Sequence, residues 1–233
     1  MAANRKLLAA AAACAAAVIG LTGCSSDDGD KDPFKGMSAD KIAKKASEAS
    51  KDAGSFRAKG EGKKDGKAIE IDFSVASSGD CKGTMGSDTE GRAQFLAVGK
   101  TTYVKGDDKF WKNTTGGAGA GELLKGRWMK SPKGDGGDSP CQSEDMFKSD
   151  KLKGMKREKD TEVDGKKAAV LTKKKGAETK TFYVAMEGKP YFLKAVTTGG
   201  DEPATMYFTD YGKTIEVKAP PADETVDPDK LGS

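Results

Sequence analysis

The spacing of apolar positions changes period along this chain, and each period predicts an element. Residues 7–19 are an unbroken apolar, Ala-rich run. From Ser38 the apolar positions Ile42, Ala43, Ala46, Ala49 and Ala53 recur at helical spacing up to Gly54. Ser38 stands where an N-cap is needed and Asp40 favours the first-turn dipole, so an amphipathic helix with a small-residue face is predicted over 38–53. From Ser55 the period is two. Phe56, Ala58 and Gly60, then Ile69, Ile71, Phe73 and Val75 against Glu70, Asp72 and Ser74, predict a hairpin with one wet face. Three more short strands are expected in DCKGTMGS (80–87), GRAQFLAVG (91–99) and KTTYVKGDDKFW (100–111), and strands in such a row imply an antiparallel meander.

Residues 112–150 break the alternation. They are glycine-rich, with short apolar nuclei at Leu123-Leu124, Trp128-Met129 and Met146-Phe147, and read as loops with one or two short helices. Strands return from 152 to 221 at a spacing of about ten residues. Their turns include Asp164-Gly165 and Glu187-Gly188-Lys189, and the last strand is KTIEVKAPP (213–221). The fold class is α+β: a curved antiparallel half-barrel of about eleven strands, covered by the N-terminal helix and the short helical insertion. A sheet that large must be covered, because a bare apolar face would aggregate. Between cover and sheet lies an apolar space. Its candidate lining is Ile69, Ile71, Phe73, Val75 and Phe95 from the meander, Leu123, Leu124 and Trp128 from the insertion, and Phe182 and Phe208 from the later strands.

The first apolar run is shorter than the roughly 20 residues a spanning helix needs. Arg5 and Lys6 precede it and small residues follow it, which makes residues 1–23 a secretory signal. Leu21-Thr22-Gly23-Cys24 resembles the lipobox of bacterial lipoproteins, in which the cysteine is acylated and becomes the first residue after cleavage. Residues 24–36 then read as the acylated cysteine and a polar, acidic, flexible tether, and 37–233 as the domain. That places the protein outside the cell, anchored to the outer face of the cytoplasmic membrane. Cys14 leaves with the signal. Cys81 and Cys141 remain, and an even pair in an oxidising compartment reads as one disulfide, worth about 4 kcal/mol in the chain-entropy account. Two free thiols are the alternative.

Forty basic residues against 36 acidic ones, with Arg5 and Lys6 lost to the signal, leave too even a balance for a nucleic-acid footprint. Aromatic content is only 7%, so the core is aliphatic and lean. There is no histidine at all. Its absence removes the commonest general base, nucleophile activator and metal ligand. Ser38-x-x-Lys41 lacks the partner motifs of the penicillin-binding proteins and serves as a helix cap. Gly117, Gly119 and Gly121 lack the spacing and the preceding strand of a dinucleotide loop. The lysine runs Lys63-Lys64, Lys166-Lys167 and Lys173-Lys174-Lys175 fall at hairpin ends, where they keep edges soluble; contact with anionic headgroups is the weaker reading. No enzyme, cofactor or metal site is expected.

Two segments carry a family likeness. SADKIAKKASEASKDAGSFRAKGEG (38–62) is similar to the opening helix and first strand, and MYFTDYGKTIEVKAPPADETVD (206–227) to the closing strands, of the LppX/LprG-type lipoproteins of mycobacteria and their relatives. These share a half-barrel with the LolA and LolB lipoprotein carriers. The resemblance implies an apolar cavity holding the acyl chains of a lipid or glycolipid in transit, with a membrane transporter as partner. The chain departs from the pattern in being glycine-rich, aromatic-poor and highly charged. A tethered surface interaction domain, with the same side chains packed solid and no ligand, is the other reading.

Overall fold

Helix, meander, insertion and second meander follow one another as the periodicities require. The computed structural model describes residues 32–115, 118–131, 147–148 and 152–230. Asp32–Ser233 forms one compact unit. The described residues ahead of the expected Met37 are tied to the domain: Phe34 is buried in the core and Asp32 accepts from Arg157 at 2.9 Å. The signal, the lipobox and Cys24 lie outside the described residues, as does Cys141.

Helix α1 (Ala39–Asp52) starts where its cap dictates: the Ser38 hydroxyl accepts from the Lys41 N–H at 3.3 Å. Its buried face is Ala39, Ile42, Ala43, Ala46, Ser47 and Ser50, small side chains that let the helix lie close on a sheet. The five strands of the first meander are β1 (Phe56–Lys64), β2 (Lys67–Val75), β3 (Cys81–Ser87), β4 (Gly91–Val98) and β5 (Thr101–Gly106). The last is shorter than expected. The Asp107 carboxylate accepts from the Phe110 N–H at 2.7 Å, and this local cap turns Asp108–Thr115 into helix α2 despite the strand preference of Phe110 and Trp111. Helix α3 (Ala118–Leu124) follows, then β6 (Trp128–Lys130), a strand where a loop was expected.

The second meander comprises β7 (Lys156–Arg157), β8 (Thr161–Val163), β9 (Lys166–Lys175), β10 (Glu178–Ala185), β11 (Phe192–Thr198) and β12 (Ala204–Thr209). Residues 213–221 form no strand, contrary to expectation; the chain next pairs only at β13 (Thr225–Val226). After β12 it must cross the ends of β1 and β2, which are paired on both sides. With no free edge beside it, the alternating sequence has no ladder to join. Side chains pin it instead: the Ser55 hydroxyl donates to the Lys213 carbonyl at 2.7 Å and Lys82 Nζ to that of Glu216 at 2.9 Å.

The strands form one unclosed sheet in the order β13-β6-β5-β4-β3-β2-β1-β12-β11-β10-β9-β7, with β8 also on β9. Its described pairings are antiparallel except β13 with β6. The α+β half-barrel is therefore the fold, with short edge strands raising the count above eleven. Strong curvature shows at the glycines: a Cβ on Gly60 would run into the Thr205 carbonyl oxygen, and one on Gly83 into Cβ of Phe73.

The outer face is charged and tied across strands. Arg57 grips Asp72 with two hydrogen bonds, 2.7 and 2.6 Å, which hold the Asp72 carboxyl below the usual carboxylate range against the opposing effect of burial. A depressed folded value gives stability that is complete above the unfolded value, about 3.9, and lost as pH falls through the folded one. Asp72→Asn should therefore melt below the parent at neutral pH, and the gap should close on acidification through that range. A gap that stays constant with pH in calorimetry would show the pair to be uncoupled from folding.

Candidate functional site

Cross-strand register sorts the inward positions into rows. One row runs Phe208, Ala58, Phe73, Gly83, Phe95, Val104, Met129 and Val226. The next runs Phe182, Ala195, Met206, Gly60, Ile71, Met85, Ala93 and Gly106. Neither row contains a charged side chain. The outward row between them reads Lys194, Tyr207, Lys59, Asp72, Thr84, Gln94 and Lys105. One face of the same strands thus suits hydrocarbon and the other water.

The inward face is filled at two places, and contrary to the aliphatic core expected from composition the few aromatic residues are concentrated there. Under α1, Phe147 of the insertion is 2% exposed. Its ring lies 5.1 Å from that of Phe56, 5.5 Å from that of Phe208, and stacks at 5.8 Å on Phe192. Its carbonyl accepts from the Ser47 hydroxyl of α1. The Tyr211 hydroxyl donates to the Phe192 carbonyl at 2.9 Å, and burial pushes that phenol far above its usual range, so it stays neutral. Towards the β6 edge, Trp111 and Leu124 pack on Val226, with Val104 and Met129 beside them. Between these plugs Ile69, Ile71, Met85, Phe95 and Met206 are only half-buried. They form an uncharged apolar strip on the inward face that is only partly covered.

The ten candidate lining residues do not share one place. Phe73, Val75 and Phe208 are buried in the main core, with Ile71 and Phe182 packed against it. Ile69 and Phe95 belong to the half-exposed strip. Leu124 joins the second cluster, whereas its neighbour Leu123 is 45% exposed and borders a small groove with Arg127 and Asp227. Trp128 alternates with the inward Met129 and so faces the other way, with Lys105 Nζ 5.8 Å from its ring centroid. Cys81 is buried at the inward start of β3.

Sequence reasoning missed Met85 and Met206 as residues of the inward apolar strip. Their signal was the inward parity they share with Ile71, visible only once the strands are in register. A recess of about 540 Å³ lined by Ser50, Lys51, Ser77 and Ser78 reaches Phe56 and Phe147. A larger groove of about 850 Å³ lies on the charged outer face among Arg57, Lys59, Glu70, Asp72 and Arg92. Its charges suit water, not an acyl chain.

No protein-family model matches the sequence, and no curated protein is similar to it in sequence. Among solved structures, LprF from Mycobacterium bovis superposes with a TM-score of 0.58 at 12% identity, over 78% of this chain and 96% of LprF. The chain has the LprF fold. LppX, a lipoprotein of Mycobacterium tuberculosis, gives a TM-score of 0.49 at 15% identity, over 77% and 98%. At such identities the likeness concerns the fold alone, and the half-barrel implied by the sequence resemblance is the fold observed. In this LprF fold the two inward rows hold no charged side chain. What they can do is shelter apolar chain from water.

Proposed function

We propose that the chain is an extracytoplasmic lipoprotein of the LppX/LprG type, anchored to the outer face of a bacterial cytoplasmic membrane through acylated Cys24. An apolar trough along the partly covered inward strip carries an acyl chain of a lipid or glycolipid, which a membrane transporter supplies or receives. The observation that supports this reading is the pair of uncharged inward rows running out from the packed core into the incompletely covered Ile71, Met85 and Met206. At about 25 cal/mol per Å² of apolar area removed from water, a strip of that kind gains by being covered. A Cys81–Cys141 disulfide would fix the insertion to β3, leaving the residues before Cys141 as its adjustable part.

One observation favours the other reading. Phe147 already occupies the space under α1, as a solid core requires, and a tethered interaction domain would need no ligand. Mass spectrometry separates the two. From the full chain isolated in the membrane fraction, we expect a mature mass that begins at an acylated Cys24, with Cys81 and Cys141 alkylated only after reduction. From the same domain made without the signal, starting at Ser25, we expect organic solvent to extract a lipid in near-stoichiometric amount. An extract without lipid would leave the interaction domain as the better account. A soluble form beginning elsewhere, or thiols that alkylate without reductant, would remove the anchor or the disulfide.

A further inference from the structure

Among the described residues the inward rows proposed to line the trough are uncharged, and charge appears in the row beside them. Beyond Phe182, Met206 and Ile71 the next inward row runs Lys173, Lys180, Thr197, Ala204, Gly62 and Ile69. Lys173 and Lys180 are direct partners on β9 and β10. Each stands two positions along its strand from a residue of the apolar core, Leu171 or Phe182. Like charges directly opposite on one face destabilise a sheet, so a sequence with no use for them there gains by changing one.

Neither charge is well answered. Lys173 is half-buried and makes no ion pair with the described residues. Asp40 feels its charge, but that carboxylate already accepts from the N–H groups of Gly154 at 3.1 Å and Met155 at 2.8 Å. Lys180 meets Glu178 of its own strand at 3.4 Å, a half-exposed contact of the kind that contributes little.

We propose that Lys173 and Lys180 form a clasp for the anionic headgroup of the lipid whose chain lies in the trough. This rests on the carrier reading and narrows it to an amphiphile bearing a carboxylate or a phosphate. The dimensions agree. From Phe182 on β10 to Met85 on β3 the sheet spans five strand spacings, about 24 Å of arc, whereas one acyl layer of a bilayer is about 15 Å deep. A chain with its anionic end at the lysines can therefore cross Ala195 and Met206 and end near Gly60, short of Ile71, without leaving the uncharged rows.

The test uses the domain beginning at Ser25, which contains the whole compact unit, and three probes of equal chain length below their micelle concentrations. These are a fatty acid, a lysophosphatidylglycerol and a monoacylglycerol, each competing with a fluorescent acyl probe. At least one anionic probe should bind about ten-fold or more tightly than the neutral monoacylglycerol, as charge-assisted contacts allow. Which anionic probe binds tighter names the headgroup.

The Lys173→Gln/Lys180→Gln variant should lose that preference while keeping its affinity for the monoacylglycerol. Its thermal midpoint should equal or exceed the parent's, since a like-charge pair is relieved. Lys59→Gln/Lys194→Gln, which removes two charges from the outward row, should keep the preference. Equal binding of all three probes, or a preference that survives Lys173→Gln/Lys180→Gln, overturns the clasp alone. Failure of the parent domain to bind any of the three overturns the trough as well.

Discussion

Replacing Phe147 by Ala should destabilise the folded unit by about 3–5 kcal/mol, the usual cost of truncating a buried aromatic side chain. The ring is enclosed by Phe56, Phe192 and Phe208, and the Ser47 hydroxyl bonds to the Phe147 backbone carbonyl, which Ala retains. The substitution therefore removes the ring and leaves the anchoring hydrogen bond. At roughly 2–4 °C per kcal/mol for a chain of this size, the melting midpoint should fall by about ten degrees. The void would open beside the proposed trough, so a bound acyl chain could refill part of it. On the carrier reading, adding lipid should recover a larger share of the midpoint in Phe147→Ala than in the parent. A loss under about 1 kcal/mol, the level of an ordinary surface substitution, would show that Phe147 does not close the core.

The elements that could be read from the sequence are those whose cause is local. Ser38, Asp40 and the small-residue face give α1 in full, and alternation from Phe56 to Val75 gives the first hairpin with its inward side correctly chosen. What could not be read depends on neighbours distant in the chain. Residues 213–221 alternate like a strand but have no edge to pair with. Trp128-Met129 looks like an isolated nucleus until β5 lies beside it. Adjacent leucines on a short helix cannot both face inward, and nothing local selects Leu124 over Leu123. The apolar inward face was legible as a parity along β2, while its breadth, through Met85 and Met206, is a property of register across several strands. Lys173 reads as part of a soluble hairpin end, and Lys180 is not singled out, because the inward row they share is set by pairing, not by spacing.

The second large effect is expected at Gly60, where curvature leaves no room for a side chain. Gly60 sits between Met206 and Ile71 in the uncharged row, and a Cβ there would collide with the Thr205 carbonyl oxygen. That oxygen is backbone of the paired strand, so no rotamer change relieves the contact. Relief requires β1 and β12 to move apart, which stretches their ladder. Gly60→Ala should therefore cost at least about 3 kcal/mol, the upper end of ordinary overpacking, even though alanine is the smallest possible change. Gly121 in α3 makes the control, because a Cβ there meets nothing within 4 Å. Gly121→Ala should be neutral or stabilise by roughly 0.5–1 kcal/mol, as expected for replacing glycine within a helix. Urea unfolding of both variants reads the difference directly. Equal midpoints for Gly60→Ala and the parent would mean that β1 and β12 lie further apart than described, and the trough floor with them, which would weaken the case for a narrow groove holding a single chain.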